Sequence, residues 1–309
     1  MTFKELKECL ACGGKDLFNF VNFGEQHPLA NTYPKVPKFD LPTYPLKVNI
    51  CKDCTHTQLT IAVDPDLLFK DYLYVSGTTQ TLQRHFESFV STALARSTGT
   101  RVLDIGCNDG SLLAEFAKQG AVIDGVDPAE NLTAARKEKL GVDTVTGYWT
   151  KELARTMGEF HIITGLNVFA HNSDPLGFLE ACKEVLDRRG EVIIEFPYYK
   201  NVYLEAQDGQ IYHEHVSGFT VRSLAALATR AGFGIVEIIE SKVHGGSIRF
   251  FLQMSQEHCK KVNVYIAEES RLGLDKMETY KKFADQVAKN YQNLLAAVGA
   301  QRALGYKII

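Results

Sequence analysis

The stretch RVLDIGCNDG at residues 101–110 decides the fold, because a short apolar run there ends in an acid and two glycines. Near-continuous apolar runs of this length are typical of strands that are buried on both faces of a parallel sheet. Further runs of this kind lie at residues 122–126, 162–166 and 192–196, and segments of helical periodicity separate them at 111–118, 132–139 and 175–186. Strands that alternate with helices predict a doubly wound α/β sheet.

The chain on either side of this pattern differs in character. A helix at residues 221–231 and two strands at 235–239 and 248–254 close the predicted sheet, and apolar residues at helical spacing over 262–297 predict one or two amphipathic helices. We therefore expect four parts: a cysteine-bearing module at 1–60, a helical connector at 61–98 with a tyrosine loop at 72–79, the α/β domain at 99–255, and C-terminal helices at 256–309 that start a truncated C-terminal domain.

The composition is that of an ordinary globular protein, with 45% hydrophobic and 23% charged residues among 309. The 34 Lys and Arg against 37 Asp and Glu give a formal net charge of -3. Proteins that bind nucleic acid through its phosphates usually carry a basic excess, so we expect no nucleic-acid partner. No apolar stretch approaches the length of a membrane span, and residues 1–10 mix charges with apolar side chains. We expect a cytoplasmic monomer without a membrane partner.

Four of the seven cysteines form two C-x-x-C pairs, Cys9 with Cys12 and Cys51 with Cys54. Each pair can chelate a metal from one tight turn, and four thiolates close the tetrahedral shell that zinc prefers. Because no coordination position stays open, the predicted Zn²⁺ is structural and holds a module that is too short to build its own core. Chance clustering or a redox pair are the alternatives, and the doubled spacing argues against both.

Doubly wound folds bind ligands at the carboxyl ends of their strands. Gly106 and Gly110 let a ligand approach the backbone there, but the spacing lacks the G-x-G-x-x-G pattern of a nicotinamide-binding domain. Asp127 ends the second strand, where a carboxylate can accept both hydroxyls of an adenosine ribose. This combination resembles the class I S-adenosylmethionine methyltransferases and implies their Rossmann-like fold. The cofactor contacts that the resemblance implies are Asp104, Gly106, Asn108, Gly110, Asp127, Pro128 and Asn167.

Further motifs narrow the resemblance. In chain order they are Gly24 with PLAN at 28–31, YPL at 44–46 before Cys51, YLYVS at 72–76 with His85, NVFAH at 167–171, YHEH at 212–215 and HGGSIR at 244–249. With the cysteine module, they resemble the zinc-containing sugar C-methyltransferases, which alkylate the carbon beside the ketone of nucleotide-activated deoxysugars. The resemblance implies S-adenosyl-L-methionine as methyl donor and a small-molecule substrate, a nucleotide sugar.

The resemblance also implies a mechanism and residues for it. A base removes the proton alpha to a 4-keto group, and the enolate attacks the sulfonium methyl, so positioning and enolate stabilisation supply most of the rate. His215 is implied as the base, because the pKa of histidine lies near working pH. Glu214 and Tyr212 then orient or polarise, and Tyr74 and His171 lie near the sugar.

The local conformation of the YHEH motif stays open. In an extended segment Tyr212 and Glu214 would share a face and His215 would point away, whereas a helical turn would put Tyr212 beside His215. The two histidines that flank Glu214 could instead ligate a catalytic metal, although such metals normally need three protein ligands. His85 and His244 could each be ordinary hydrogen-bonding residues.

Two alternative functions also stay open. The acceptor could be another small molecule, or the chain could be an inactive adenosyl-binding module, although such a module has no use for a base. Two positions depart from the family pattern. Gly218 stands where the family usually has an aromatic residue, which predicts a more open sugar pocket. Residues 305–309, GYKII, resemble the first strand of a further domain, so we expect the family's C-terminal domain to be missing.

Overall fold

The computed structural model describes residues 2–28 and 42–307, so residues 29–31 of the PLAN motif and residues 308–309 of the GYKII motif lie outside the described residues. The strands are β1 (Phe3–Glu5), β2 (Leu17–Gln26), β3 (Tyr44–Cys51), β4 (Thr57–Leu59), β5 (Ile61–Val63), β6 (Arg101–Ile105), β7 (Val122–Asp127), β8 (Val145–Thr146), β9 (Phe160–Leu166), β10 (Leu186–Pro197), β11 (Ser217–Gly218), β12 (Phe233–Ser241) and β13 (Ser247–Met254). The helices are α1 (Pro65–Phe69), α2 (Gln80–Arg96), α3 (Ser111–Lys118), α4 (Thr133–Leu140), α5 (Lys151–Ala154), α6 (Pro175–Val185), α7 (Tyr199–Leu204), α8 (Val221–Ala231), α9 (Lys260–Arg271) and α10 (Met277–Ala303).

The central sheet has seven strands in the order β8-β7-β6-β9-β10-β13-β12. The strands from β8 to β10 are parallel, and β13 runs antiparallel to both β10 and β12. The predicted doubly wound sheet is therefore confirmed, including the hairpin that closes it. The sequence does not predict β8, because a strand of two residues is too short to show a period.

Successive residues of the central strands enter two different cores, as the alternation of side chains along a strand requires. Val102, Ile162 and Ile193 pack with α2 and α3 on one face of the sheet. Leu103 and Ile163 pack with α6 and α8 on the other. All five side chains are fully buried. The sequences of these strands are nearly all apolar because both of their faces are covered.

A buried ion cluster ties α2 to strands β10 and β13 of this sheet. Glu195 of β10 is fully buried, and its Oε1 lies 2.6 Å from Nε2 of His85 on α2. Arg249 of β13 donates from Nε to Oε2 of Glu195 over 2.8 Å. Burial alone would raise the pKa of Glu195, but His85 and Arg249 hold that pKa below its ordinary value. His85 is thus a hydrogen-bonding residue of the scaffold.

A second sheet joins the beginning of the chain to its middle. Its strand order is β11-β4-β3-β2, and β1 pairs separately with β5. In β11, Gly218 pairs with Thr57 of β4, whose Oγ1 also donates to the Gly218 carbonyl over 3.0 Å. The apolar face of this sheet packs on Tyr203 of α7 and on Tyr280 and Phe283 of α10. The N-terminal sheet and the first half of α10 therefore share one core.

The four predicted metal ligands come together. Their Sγ atoms all lie within 4.8 Å of one another, with 3.6 Å between Cys9 and Cys54 and 3.5 Å between Cys12 and Cys51. Tetrahedral zinc with Zn–S distances of about 2.3 Å holds its sulfur atoms about 3.8 Å apart, so the cluster has the size of a zinc shell. No other group of three or more such ligand atoms within the described residues could hold a metal, so the alternative of a metal at His213–His215 has no support.

The cysteine cluster is docked on the α/β domain. Arg230 of α8 donates from Nη1 to the carbonyl of Ala11, which lies between the first two ligands, over 2.6 Å. Ala11 is fully buried and belongs to the same core as α6 and α8. Among the described residues, no helix has both the length and the apolar character needed to cross a membrane.

We expect one zinc ion per chain, and its loss should destabilise the N-terminal sheet, because metal binding and folding are coupled in such sites. Cys51→Ser should lower the zinc content measured by elemental analysis and the midpoint of thermal unfolding. The matched control is Cys259→Ser, since Cys259 is half-buried and lies outside the cluster. A Cys51→Ser protein with full zinc and the parent's unfolding midpoint would contradict the prediction.

Candidate active site

A cavity of about 520 Å³ opens at the carboxyl ends of the parallel strands. Its floor consists of the loops that follow β6, β7, β8 and β9, and its walls consist of α1, the tyrosine loop and the segment 209–216. Of the residues predicted for the cofactor and the chemistry, it brings together nine: Gly106, Asn108, Asp127, Pro128, Asn167, Tyr74, His171, Tyr212 and His215.

The loop after β6 approaches the cavity with its backbone. Gly106 has a φ of 75°, and a Cβ there would lie 2.8 Å from Val168, so both the conformation and the space require glycine. Asn108 and Asn167 also have left-handed backbones, with φ of 49° and 57°. Asparagine tolerates this region better than most residues, and such conformations cluster at functional sites.

Asp127 holds two of these loops together. Its Oδ2 accepts from the backbone N–H of Asn108 and its Oδ1 from that of Ala129, each over 2.8 Å. Arg136 of α4 is fully buried, donates from Nη1 to the carbonyl of Asn108 over 2.7 Å, and lies 3.3 Å from Oδ1 of Asp127. Burial raises the pKa of Asp127, and these partners oppose that rise. The sequence does not predict this role for Arg136, because a basic residue on an amphipathic helix is expected to lie on the solvent-exposed face.

The segment after β8 closes the end of the cavity near Pro128. Tyr148 and Trp149 line it; Tyr148 donates its hydroxyl to Asp66 over 3.0 Å, and Trp149 donates from Nε1 to the carbonyl of Phe178 over 3.2 Å. Sequence reasoning misses both residues. Both residues follow a parallel strand, and that position would have marked them as candidates. The strand β8 has only two residues, so the sequence does not reveal it.

The YHEH motif forms a turn, which answers the question that the sequence left open. The N–H of His215 donates to the carbonyl of Tyr212 over 3.0 Å, and the Tyr212 hydroxyl lies 2.9 Å from Nε2 of His215. Nδ1 of His215 lies 2.7 Å from the carbonyl of Gln210, and a carbonyl can only accept. The neutral ring therefore carries its hydrogen on Nδ1 and its lone pair on Nε2. Burial lowers the pKa of His215 to about 4.

His171 lies beside this turn. The ring centroids of His171 and His215 are 5.1 Å apart, and Phe69 stacks on the other side of His171 at 5.6 Å and 6° between the planes. Burial, with a smaller contribution from His215, holds the pKa of His171 well below its usual value. Tyr74 lines the cavity with nearly half of its surface exposed. The two imidazoles are thus neutral and adjacent, and aromatic side chains surround them in the wall of the cavity.

Three predicted residues lie outside the cavity lining. Asp104 lines a neighbouring pocket of about 30 Å³ and accepts from the Thr164 hydroxyl over 2.6 Å; burial raises its pKa to about 7. Gly110 precedes α3 and faces Leu140. Glu214 is buried behind the turn, where its Oε2 accepts from the Tyr72 hydroxyl over 3.1 Å.

The prediction that Gly218 opens the pocket is wrong. Gly218 is buried in β11 and does not line the cavity. A Cβ at this position would lie 2.3 Å from Cδ1 of Tyr199 and 2.4 Å from Oγ1 of Thr57. The missing side chain therefore makes room for the ring of Tyr199 and leaves no additional space for a ligand.

The chain matches three protein families along its length. Residues 79–238 match the family described as "Methyltransferase domain", residues 9–69 match "Putative zinc binding domain", and residues 242–309 match "C-methyltransferase C-terminal domain". The prediction that the C-terminal domain is missing is therefore wrong. The matched segment already begins before β13, and its helix α10 packs on the N-terminal sheet, whereas the prediction took residues 256–309 as no more than the start of a truncated domain.

Known proteins resemble the chain over different lengths. The C-methyltransferase NovU of Streptomyces niveus is 30% identical over 292 residues, which are 91% of this chain and 69% of that protein. The ubiquinone biosynthesis O-methyltransferase of Dinoroseobacter shibae is 41% identical over 96 residues, 30% of this chain and 39% of that protein. The crystal structure of magnesium protoporphyrin IX methyltransferase from Synechocystis PCC 6803 with bound SAH gives a TM-score of 0.44 and 20% identity over 55% of this chain and 82% of that one.

The zinc-binding segment contains all four clustered cysteines, and the methyltransferase segment contains the parallel strands with their glycine loop and Asp127. The match to NovU spans nearly the whole chain. The chain belongs to the S-adenosylmethionine-dependent C-methyltransferases that carry an N-terminal zinc-binding domain.

Proposed function

We propose that the chain methylates the carbon alpha to the ketone of a nucleotide-linked 4-keto-deoxysugar, through an enolate that a protein base generates. The observation that carries the proposal is the fixed tautomer of His215, whose Nε2 lone pair lies in the cavity wall beside the Tyr212 hydroxyl. With Nδ1 protonated, Nε2 accepts the Tyr212 hydroxyl hydrogen, and it can take a proton from carbon once that hydroxyl turns to the oxygen of the acceptor. The sequence motifs shared with sugar C-methyltransferases supply the acceptor class.

The loops after β6 and β7 are the proposed cofactor site. When bound, S-adenosylmethionine supplies a methyl group on a sulfonium. Oδ2 of Asp127 accepts one backbone N–H and can accept a further hydrogen bond, whereas Oδ1 accepts one backbone N–H and also faces Arg136. Asp127 can therefore bind the ribose through Oδ2, while Gly106 and the backbone at Asn108 and Asn167 allow close contact. Pro128, Tyr148 and Trp149 would enclose the base of the adenosine.

His215 is the proposed base and Tyr212 its partner. At neutral pH the imidazole is unprotonated, because burial lowers its pKa to about 4. A base of this pKa is weak against a proton on carbon, so the enolate oxygen has to be stabilised as the proton leaves. In this proposal the Tyr212 hydroxyl, once it leaves Nε2 of His215, and the neighbouring His171 ring stabilise that oxygen. Tyr74 contacts the acceptor and Glu214 orients the turn.

A different small acceptor is the second candidate, and one observation favours it. Among the described residues that line the cavity there is no lysine or arginine, the side chains that usually meet a diphosphate. A calorimetric screen of nucleotide 4-keto sugars and of uncharged ketones, each with S-adenosylhomocysteine present, separates the two candidates. The cytoplasmic location, the monomeric state and the lack of a nucleic-acid partner stay predictions.

His215→Asn should reduce turnover by about 10²- to 10⁴-fold, because the general base is lost. Cofactor affinity should stay close to that of the parent, since the predicted role of His215 is on the acceptor side. Solvent deuterium exchange at the carbon beside the ketone, measured without methyl donor, isolates proton abstraction. Exchange at the parent rate in His215→Asn would exclude His215 and transfer the role to Glu214 or Tyr212.

Asp127→Asn should weaken S-adenosylhomocysteine binding by about 10- to 100-fold, because one charged acceptor for the ribose is lost. Isothermal calorimetry gives the affinity, and thermal unfolding checks that the loops stay folded. Asp143→Asn is the matched control, since Asp143 is an exposed carboxylate paired with Lys137 on the surface. Equal affinities for the two variants would place the ribose elsewhere.

The pH dependence of kcat/KM should show no acid limb near the ordinary histidine pKa. A base whose pKa is lowered stays deprotonated, and hence active, until the pH falls toward that lowered value. With a pKa of about 4 for His215, kcat/KM should be flat from about pH 5.5 to about pH 8. A decline with a midpoint between about pH 6 and about pH 7 would mean that His215 titrates as an exposed imidazole.

A further inference from the structure

The tyrosine loop, residues 72–79, pairs with no described strand, and two asparagine side chains hold its backbone. Asn131 accepts from the backbone N–H of Tyr72 at Oδ1 and donates from Nδ2 to the Tyr72 carbonyl, both over 2.9 Å. Asn108 accepts from the N–H of Ser76 over 3.0 Å and donates to the carbonyl of Tyr74 over 2.9 Å. A primary amide offers a donor and an acceptor together, so each asparagine pairs with the loop as a strand would.

Both asparagines belong to the loops that Asp127 organises. The backbone N–H of Asn108 donates to one Asp127 oxygen, and Asn131 follows two residues after Ala129, whose N–H donates to the other. The position of the tyrosine loop is therefore set by the same backbone that surrounds the proposed ribose site. Both asparagines therefore share the backbone that Asp127 holds in place.

The other side of the tyrosine loop contacts the YHEH turn. Tyr72 donates its hydroxyl to Oε2 of Glu214, and its ring meets Phe69, which stacks on His171. Burial, together with the charge of Glu214, raises the pKa of Tyr72 well above its usual value, so the hydroxyl stays protonated and donates. Glu214 is buried, and a buried carboxylate needs such donors to stay in place.

We propose that Tyr72 is a positioning residue of the methyl transfer: its hydroxyl fixes Glu214 behind the catalytic turn, and the clamps Asn108 and Asn131 make its position depend on the loops that hold the cofactor. The inference rests on the proposed function of the turn 212–215 and adds a coupling to it. Cofactor binding further restrains the tyrosine loop, and the loop passes this restraint to the turn through the hydrogen bond between Tyr72 and Glu214. The acceptor then meets a complete site when the methyl donor is present.

A double-mutant cycle tests whether Tyr72 acts through Glu214. Tyr72→Phe should lower kcat about 10- to 100-fold while the affinity for S-adenosylhomocysteine and the unfolding midpoint stay close to the parent's, because one hydrogen bond to a charged group is lost. In a Glu214→Gln background the same substitution should have little further effect. An equal loss of kcat in both backgrounds would overturn the proposal. Tyr291→Phe, which removes an exposed hydroxyl on α10, is the control.

Hydrogen exchange tests the coupling without any acceptor. Adding S-adenosylhomocysteine to the parent should slow exchange in peptides that cover residues 71–79 and 212–215. In Asn131→Ala the ligand should no longer slow exchange in 212–215, and in Tyr72→Phe it should protect the loop but not the turn. Asn293→Ala, an exposed amide on α10, is the control. Protection of the turn in all variants would overturn the proposal.

The two tests separate this inference from the proposed function. If the parent acts on no 4-keto sugar, the proposed substrate is wrong, and the exchange measurement still decides the coupling because it needs only S-adenosylhomocysteine. If the parent is active and the effects of Tyr72→Phe and Glu214→Gln on kcat are additive, the proposed substrate is supported and the proposed role of Tyr72 is wrong.

Discussion

The paired hydrogen bonds of Asp127 are the constraint on which the site depends. The Asp127 carboxylate accepts hydrogen bonds from the backbone that follows β6 and from the backbone that follows β7. The fully buried guanidinium of Arg136 lies beside this carboxylate. Those loops form the floor of the cavity and hold the tyrosine loop above it through Asn108 and Asn131. Burying an ion pair costs desolvation free energy. Here the buried carboxylate lies where a bound ligand can donate further hydrogen bonds to it.

The fold could be predicted from the sequence because its strands are buried on both faces. Runs such as residues 102–105 and 192–196 have no polar alternation, and the predicted helices between them begin and end close to the observed bounds of α3 and α6. The place of the cofactor loops follows from the same pattern, since the carboxyl ends of parallel strands meet at one edge. The prediction fails for β8, and with it Tyr148 and Trp149 are missed.

The geometry of the YHEH turn could not be predicted from its letters. Four residues fit an extended segment and a turn equally well, and the choice depends on the Gln210 carbonyl and the tyrosine loop that pack around His215 and Glu214. Gly218 shows the same limit, because its role depends on the ring of Tyr199, which lies close in space and far in sequence. Motifs name residue types, whereas contacts between distant segments decide what each residue does.

The pairing of β4 with β11 has a consequence for the order in which the protein is made. All four zinc ligands lie within the first 54 residues, so the metal shell can form early during synthesis. The sheet beside it, however, cannot be completed until Gly218 has left the ribosome, and the edge of β4 stays unpaired until then. A fragment cut between the two strands would contain all four zinc ligands and expose that edge, which makes such a fragment prone to aggregate.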